Sequence, residues 1–373
     1  MFDGYHQKLL SFRSYDFLGL SSNAHVLSAF NKAMVEYHST PSVQRVPGHR
    51  EDILELEEVV AEFHQREACL AFSSLESGMD RVFSVLFGAD DVIFCDDGVA
   101  QAAKNVVSDV SGVKALSYRN CDIKDLETKL KTHRNTKGAK VILTEGFYPN
   151  TGRTADLRKL LELGEAHDAL VILDDSLAIG VLGDSVRGLE DNLHPTREKP
   201  FLTFGSFEFA FGQHSGGYVV GPSLVLDTVR AFSKRHLQSL DEVLHPGVVA
   251  GAKLVLENAA ALKQPAAELR ERSSRVKEEL CAWGGVGHVD QHPIIPVLVG
   301  EERKASAVMD QLMNHRVAAI AMKYPLVPRD AALLNLLLTR LHTEEQLKHM
   351  MDTLKAVCRR NKVPSFSQLS HLL

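Results

Sequence analysis

The chain has 373 residues, 45% hydrophobic and 24% charged, which is an ordinary globular balance with material for two domains. Its net charge of -6 offers no basic surface for nucleic acid or anionic lipid. The short basic runs Lys234-Arg235-His236 and Arg359-Arg360-Asn361-Lys362 read as solvated surface or helix ends.

In chain order, the first clear element is an amphipathic helix over residues 54–66, with Leu54, Leu56, Val59, Val60 and Phe63 on its apolar side. Val92-Ile93-Phe94-Cys95 is the first buried strand. Asp122 is placed to cap a helix over Ile123 to His133, with Leu126 and Leu130 on one face. Lys140 to Thr144 is a second strand. Asp156 opens a helix through Leu157, Leu160, Leu161 and Leu163, ending near Gly164 or slightly later. Ala169 to Leu173, Pro200 to Phe204 and Gly217 to Gly221 are three further strands. Apolar runs this continuous suggest strands covered on both faces, and strand–helix alternation implies a largely parallel α/β sheet with ligands at the carboxyl ends of its strands.

The last third changes character. Residues 247–283 read as one or two long helices, Ile294 to Val299 as a strand and residues 303–315 as a helix. Arg316 to Met322 is extended, Leu333 to Leu338 is another strand, and Thr343 with Gln346 forms a capping box for the closing helix. The expected division is an N-terminal segment (1–50), a large α/β domain (51–245) and a small C-terminal α+β domain (246–373).

Cys69, Cys95, Cys121, Cys281 and Cys358 are odd in number, scattered and never in Cys-x-x-Cys, so neither a disulfide framework nor a zinc ribbon is expected. The 17 histidines include no metal-ligand spacing, and no metal is expected. No run of about 18 apolar residues occurs, and Met1 to His6 is not of signal-peptide type.

Three segments carry a resemblance. Tyr15-Asp16-Phe17-Leu18-Gly19-Leu20, Glu145-Gly146-Phe147-Tyr148-Pro149-Asn150-Thr151-Gly152 and Asp174-Asp175-Ser176-Leu177-Ala178 are similar to motifs of the α-oxoamine synthases. These are fold-type I pyridoxal-phosphate (PLP) transferases that condense an amino acid with an acyl-CoA and release carbon dioxide. The resemblance spans about nine-tenths of the chain, as far as Thr343-Glu344-Glu345. The acidic pair followed by Ser-Leu looks most like the non-catalytic long-chain-base subunit of eukaryotic serine palmitoyltransferase. Catalytic members have Asp-Glu-Ala-His-Ser there.

By that resemblance, Asp174 matches the aspartate that pairs with the PLP ring nitrogen, although it equally suits a strand-end cap. Leu177 matches a cofactor-contacting histidine, and leucine donates no hydrogen bond. Ala100 matches the histidine that stacks on the ring. Phe209, in Ser206-Phe207-Glu208-Phe209-Ala210, matches the Schiff-base lysine, and a shift of one residue would give the equally inert Ala210. Lys199 and Lys234 lie far outside the motif. No other side chain replaces that amine, so no catalytic residue is expected in this chain.

Arg45 and Gly48 match a loop that in the family lies near the dimer interface, so Arg45 is either a residue reaching a partner's site or a surface arginine. Phe72-Ser73-Ser74 matches the turn before a phosphate-binding helix, where Ser73 and Ser74 also suit as caps and Glu76 would repel a phosphate if it faced it. Gly216 and Gly217 are further interface candidates, or serve backbone geometry.

The resemblance implies an inactive subunit that pairs with a lysine-bearing catalytic subunit. The partner would hold PLP and condense L-serine with palmitoyl-CoA to 3-ketodihydrosphingosine in sphingolipid synthesis. It also implies indirect attachment to the cytosolic face of the endoplasmic reticulum membrane, since such subunits usually carry an N-terminal membrane helix ahead of the Tyr-x-Phe-Leu-Gly-Leu motif and this chain starts about fourteen residues before it. Either the partner supplies the attachment or the N-terminus is incomplete. A different acyltransferase of the same family, or a regulatory or binding protein reusing the fold, are the alternatives.

Overall fold

The computed structural model describes residues 8–37, 51–193, 200–232 and 244–372. The large sheet has seven strands: β1 (Ala68–Phe72), β2 (Val92–Asp96), β3 (Lys114–Tyr118), β4 (Lys140–Glu145), β5 (Ala169–Asp174), β6 (Leu202–Ser206) and β7 (Gly217–Gly221). Their order across the sheet is β1-β7-β6-β5-β4-β2-β3. β7 runs antiparallel to both neighbours and every other pair is parallel.

The apolar runs are buried as expected. Every residue of β2, β6 and β7 is buried, which requires cover on both faces. Two strands escaped the sequence reading. β3 is an edge strand with a mostly exposed face, so it carries no apolar run. β1 follows the helix Glu51–His64 after three residues and has an Ala- and Cys-rich sequence that reads as more helix. The break between them is Gln65, whose φ of 53° lies in the left-handed region.

The capping expectations hold. The Asp122 carboxylate accepts from the Asp125 amide at 3.0 Å, and the Asp156 carboxylate accepts from the Lys159 amide at 3.2 Å. The second of these helices runs over Leu157–His167, past Gly164.

The chain forms two compact units, one of residues 20–146 and 154–263, the other of residues 1–19, 147–153 and 264–373. This differs from the expected limits at both ends for local reasons. The helix Pro246–Glu257 packs on the helices Ala24–Tyr37 and Glu51–His64 and therefore belongs to the large unit. Leu10–Ser11 pairs in parallel with Val317–Ala318, which puts the N-terminal residues in the small unit.

The small unit holds a three-stranded antiparallel sheet of Ile294–Gly300, Ala332–Leu337 and Ile320–Met322, with the second strand central. The closing helix Glu344–Arg360 starts at the expected Thr343–Gln346 capping box. The Tyr15 to Gly19 motif lies here, with Phe17 buried and its ring edge-on to His292 at 5.6 Å.

Candidate functional site

In a sheet of this order the carboxyl ends of the parallel strands gather at one edge. The charged and polar residues of these buried strands are concentrated at that edge: Asp96 ends β2, Glu145 ends β4, Asp174 ends β5 and Ser206 ends β6. Glu145 and Asp174 face each other in register, and Asp174 pairs with Phe204 on its other side.

These carboxylates differ in how they are satisfied. Asp96 accepts from the Gly98 amide and the Asn120 side chain at 2.7 Å each, and from the Cys121 amide at 2.9 Å. It is a structural clasp for the loop after β3. Glu145 accepts from the Ala100 amide at 2.6 Å, and Asp174 from the Ser176 amide at 3.0 Å.

Burial pushes the Glu145 carboxyl well above the usual range, and Asp174 and Asp96 push it further, against the opposing pull of the Ala100 amide and Lys104. Burial likewise raises Asp174. The Lys104 ammonium is tied to the Asp97 carbonyl at 2.7 Å.

That shift makes the pair a pH-dependent cost. Both groups titrate higher in the folded chain than in the unfolded one, so their contribution to stability is full below about pH 4 and is lost as pH rises through the folded pKa. The slope reaches about 1.4 kcal/mol per pH unit for each group in that window. Glu145→Gln should therefore stabilise the chain relative to wild type, and the gain should be larger in urea melts at about pH 8 than at about pH 5. An equal effect at both pH values would contradict this assignment.

The acidic pair at the end of β5 points two ways. Asp175 is fully buried, and its carboxylate accepts from the Leu189 amide at 2.8 Å. A Cβ at either Gly146 or Gly188 would be driven into that carboxylate. Asp175 is thus wedged between two glycines as a packing residue, while Asp174 faces Glu145.

The three positions matched to the imine lysine and the two histidines are all described. Ala100 is exposed and forms the N-cap of the helix Gln101–Asp109 with no side-chain hydrogen bond. Leu177 is half-buried in the turn after β5. Phe209 is half-buried in the loop after β6. The alternative position, Ala210, is buried with its methyl packed on Gly180, so it has no room for a long side chain.

The helix matched by resemblance to the phosphate-binding helix is capped by its own serines. The helix Leu75–Leu86 begins at Ser74, whose hydroxyl accepts from the Ser77 amide at 3.1 Å, while the Ser77 hydroxyl accepts from the Ser74 amide at 3.2 Å. Ser73 lies 3.3 Å from the Ser77 hydroxyl. These serines are caps. Gly216 has a φ of 102°, which only glycine adopts readily, and a Cβ there would meet the Phe207 ring at 2.9 Å. A Cβ on Gly217 would lie 2.5 Å from the Leu75 Cα. Both glycines are buried, and these contacts suit the backbone-geometry reading of the two positions. Of the interface candidates Ala100 is the exposed one, and Arg45 lies outside the described residues.

Sequence reasoning did not single out Glu145 or Glu208. The signal for Glu145 was an acidic residue closing an apolar strand run. Glu208 is half-buried, and its carboxyl is raised by burial and by the neighbouring Glu76. Among the described residues no cluster has the makings of a metal site.

A mixed seven-stranded sheet with surrounding helices, an aspartate at the end of β5 and a small antiparallel domain define a fold-type I PLP transferase. The aminotransferase class I and II family model matches residues 7–354, and the chain belongs to that family. The chain is 30% identical over 362 residues to the 2-amino-3-ketobutyrate coenzyme A ligase of Salmonella typhimurium, covering 94% of this chain and 87% of that one. It is 29% identical over 367 residues to 8-amino-7-oxononanoate synthase 1 of Bacillus velezensis, covering 95% and 89%. These relatives are α-oxoamine synthases.

Among solved structures, a Sphingomonas wittichii serine palmitoyltransferase matches with a TM-score of 0.88 at 21% identity, covering 96% of this chain and 90% of that one. An 8-amino-7-oxononanoate synthase of Francisella tularensis matches at 0.79 and 19% identity, covering 95% and 99%. At these identities the structural matches establish the fold.

The family's cofactor supplies an electron sink once an amine binds it. By the resemblance, Asp174 is placed to hold that group, while no lysine stands at the position matched to the amine. The residues matched by resemblance to the amine and the two imidazoles are Phe209, Leu177 and Ala100.

Proposed function

We propose that this chain is the lysine-less subunit of a serine palmitoyltransferase-type complex, paired with a catalytic α-oxoamine synthase subunit that holds PLP. The observation that carries this reading is Phe209 at the amine position, joined by Leu177 and Ala100. Each is apolar, so imine formation and both imidazole contacts are lost together. A half-buried phenylalanine and an exposed Ala100 leave side chains suited to lining a partner's site rather than to proton transfer. Asp174 is then a remnant of the cofactor site, its carboxyl raised by burial beside Glu145.

The substrates under this reading are L-serine and palmitoyl-CoA, and the product is 3-ketodihydrosphingosine. The sequence relatives favour a second reading within the same class, a supporting subunit for an α-oxoamine synthase with a different acyl or amino-acid substrate. No helix among the described residues is long and apolar enough to cross a membrane. Under the proposal the partner carries the attachment to the endoplasmic reticulum membrane, and membrane fractionation with and without it checks that part.

The main test is co-expression with lysine-bearing α-oxoamine synthase subunits, followed by assay of L-serine with a panel of acyl-CoA thioesters. Condensation by the pair and none by this chain alone is the expected result. Failure both to co-purify and to raise activity would sink the proposal. Arg45→Ala in such a pair is expected to lower turnover while leaving co-purification intact.

A further inference from the structure

We propose that His342 is an acid-sensitive latch that holds the N-terminal segment in the small unit, so that protonation of its ring releases residues 10–12 while the rest of the unit stays folded.

The geometry allows the ring one state. Nδ1 of His342 accepts from the Thr339 amide at 2.9 Å. A nitrogen that accepts from an amide carries no proton of its own, so the proton of the neutral ring sits on Nε2. Nε2 then donates to the Ser11 carbonyl at 3.0 Å. The Phe12 ring stacks on the imidazole with centroids 4.2 Å apart and planes 14° from parallel. The imidazole thus ties the turn before the closing helix to two successive residues of the N-terminal segment. A second proton makes Nδ1 a donor facing the Thr339 amide, and the bond is replaced by two opposed N–H groups. On that side a charged ring keeps only the longer contact to the Thr339 hydroxyl, 3.3 Å away.

The charges around the ring also disfavour a second proton. From the helix Lys263–Trp283, Arg272 donates to the His342 carbonyl at 2.8 Å and to the Arg340 carbonyl at 3.3 Å. Glu344, on the closing helix, is divided between Arg272 at 3.3 Å and Arg275 at 3.0 Å. The N-terminal segment presents the Ser11 carbonyl and the Phe12 ring, and the next residue, Arg13, is exposed. Burial holds the imidazole below the usual histidine range and Arg272 adds to this, against the pull of the Ser11 carbonyl. The folded ring titrates lower than the unfolded one. Its contribution to stability is therefore full above about pH 6.5 and is lost as pH falls through the folded value.

The segment it holds is short. The parallel pairing spans Leu10–Ser11 against Val317–Ala318. The Leu10 and Phe12 amides donate to the Arg316 and Ala318 carbonyls at 2.8 Å each, and the Phe12 carbonyl accepts from the Leu337 amide at 3.0 Å. A piece of this size opens at lower cost than the unit as a whole, so the loss of one side-chain tie shifts its population. Release bares the buried Phe12 ring and the Val317–Ala318 edge.

The test is amide hydrogen exchange on the purified full chain, read as protection factors at about pH 7.5 and about pH 5. In wild type the Leu10 and Phe12 amides should lose about tenfold or more of their protection at the lower pH, while the amides of Ile294–Gly300 stay within about twofold. His342→Gln, which cannot take up a proton, should show the same Leu10 and Phe12 protection at both pH values. Should that variant fail to fold, an NMR titration of the His342 ring in wild type replaces it, and its midpoint should coincide with the loss of Leu10 and Phe12 protection. No loss in wild type, an equal loss in the variant, a loss shared by Ile294–Gly300, or midpoints that do not coincide would overturn the proposal. The readout needs no partner, so the latch and the subunit reading can fail separately.

Discussion

Lys277→Met is expected to destabilise the small unit by about 3–5 kcal/mol, the cost of removing one partner from a buried ion pair. Lys277 lies on the helix Lys263–Trp283 with no side-chain exposure. Its ammonium donates to both Asp290 carboxylate oxygens at 2.7 and 2.8 Å and to the His292 carbonyl at 2.6 Å. Burial brings its pKa down to about 8, so it is still charged at neutral pH. The His292 ring stacks on Phe147 at 3.6 Å, and the ammonium lies 5.8 Å from the centroid of the Phe147 ring. Removing the amine leaves the Asp290 carboxylate with the His292 amide but without its cation. Chemical denaturation of K277M and of K277M/D290N tests this. The double variant should recover at least about 1 kcal/mol, since neighbours sharing a partner are not additive. Additive losses would contradict the account.

Gly146→Ala is expected to cost the large unit about 3 kcal/mol by overpacking and by displacing a buried carboxylate from its hydrogen bond. A Cβ at this position would be driven into the Asp175 carboxylate and would lie 2.5 Å from Leu189 Cδ1. The Gly146 amide also donates to the Asp174 carbonyl at 2.8 Å, so displacement there moves the end of β5. G146A/D175A should therefore be less destabilised than the sum of the single variants, because the second change removes the clashing group. Thermal melts of the three variants decide this, and a strictly additive result would show that the wedge is not what makes Gly146 intolerant of a side chain.

Most of the sheet was legible because its central strands are covered on both faces. Val92 to Cys95, Val141 to Leu143 and Ala169 to Leu173 had to be continuously apolar, and that pattern marks them without any tertiary information. The edge strand Lys114–Tyr118 had no such requirement and left no mark. The unit boundaries were not legible either, since the pairing of Leu10 with Val317 joins residues about three hundred positions apart, and local pattern carries no information on that.

The site was legible where it depends on residue identity and not where it depends on neighbours. Phe209, Leu177 and Ala100 stand out once the motif is seen. The roles of Asp175, Glu145 and Glu208 need coordinates. Asp174 and Asp175 are adjacent and chemically alike, yet one faces Glu145 and the other is locked between glycines. Only the alternation of side chains at the end of a strand, together with the approach of Gly146 and Gly188, separates them.

The central claim is that the cofactor amine of the active pair belongs to the other chain. Borohydride reduction of a co-expressed, active pair fixes PLP to whichever lysine holds it, and peptide mass spectrometry then locates the label. The account predicts label on the partner alone, with every lysine of this chain unmodified. Stoichiometric label on any lysine of this chain would contradict it.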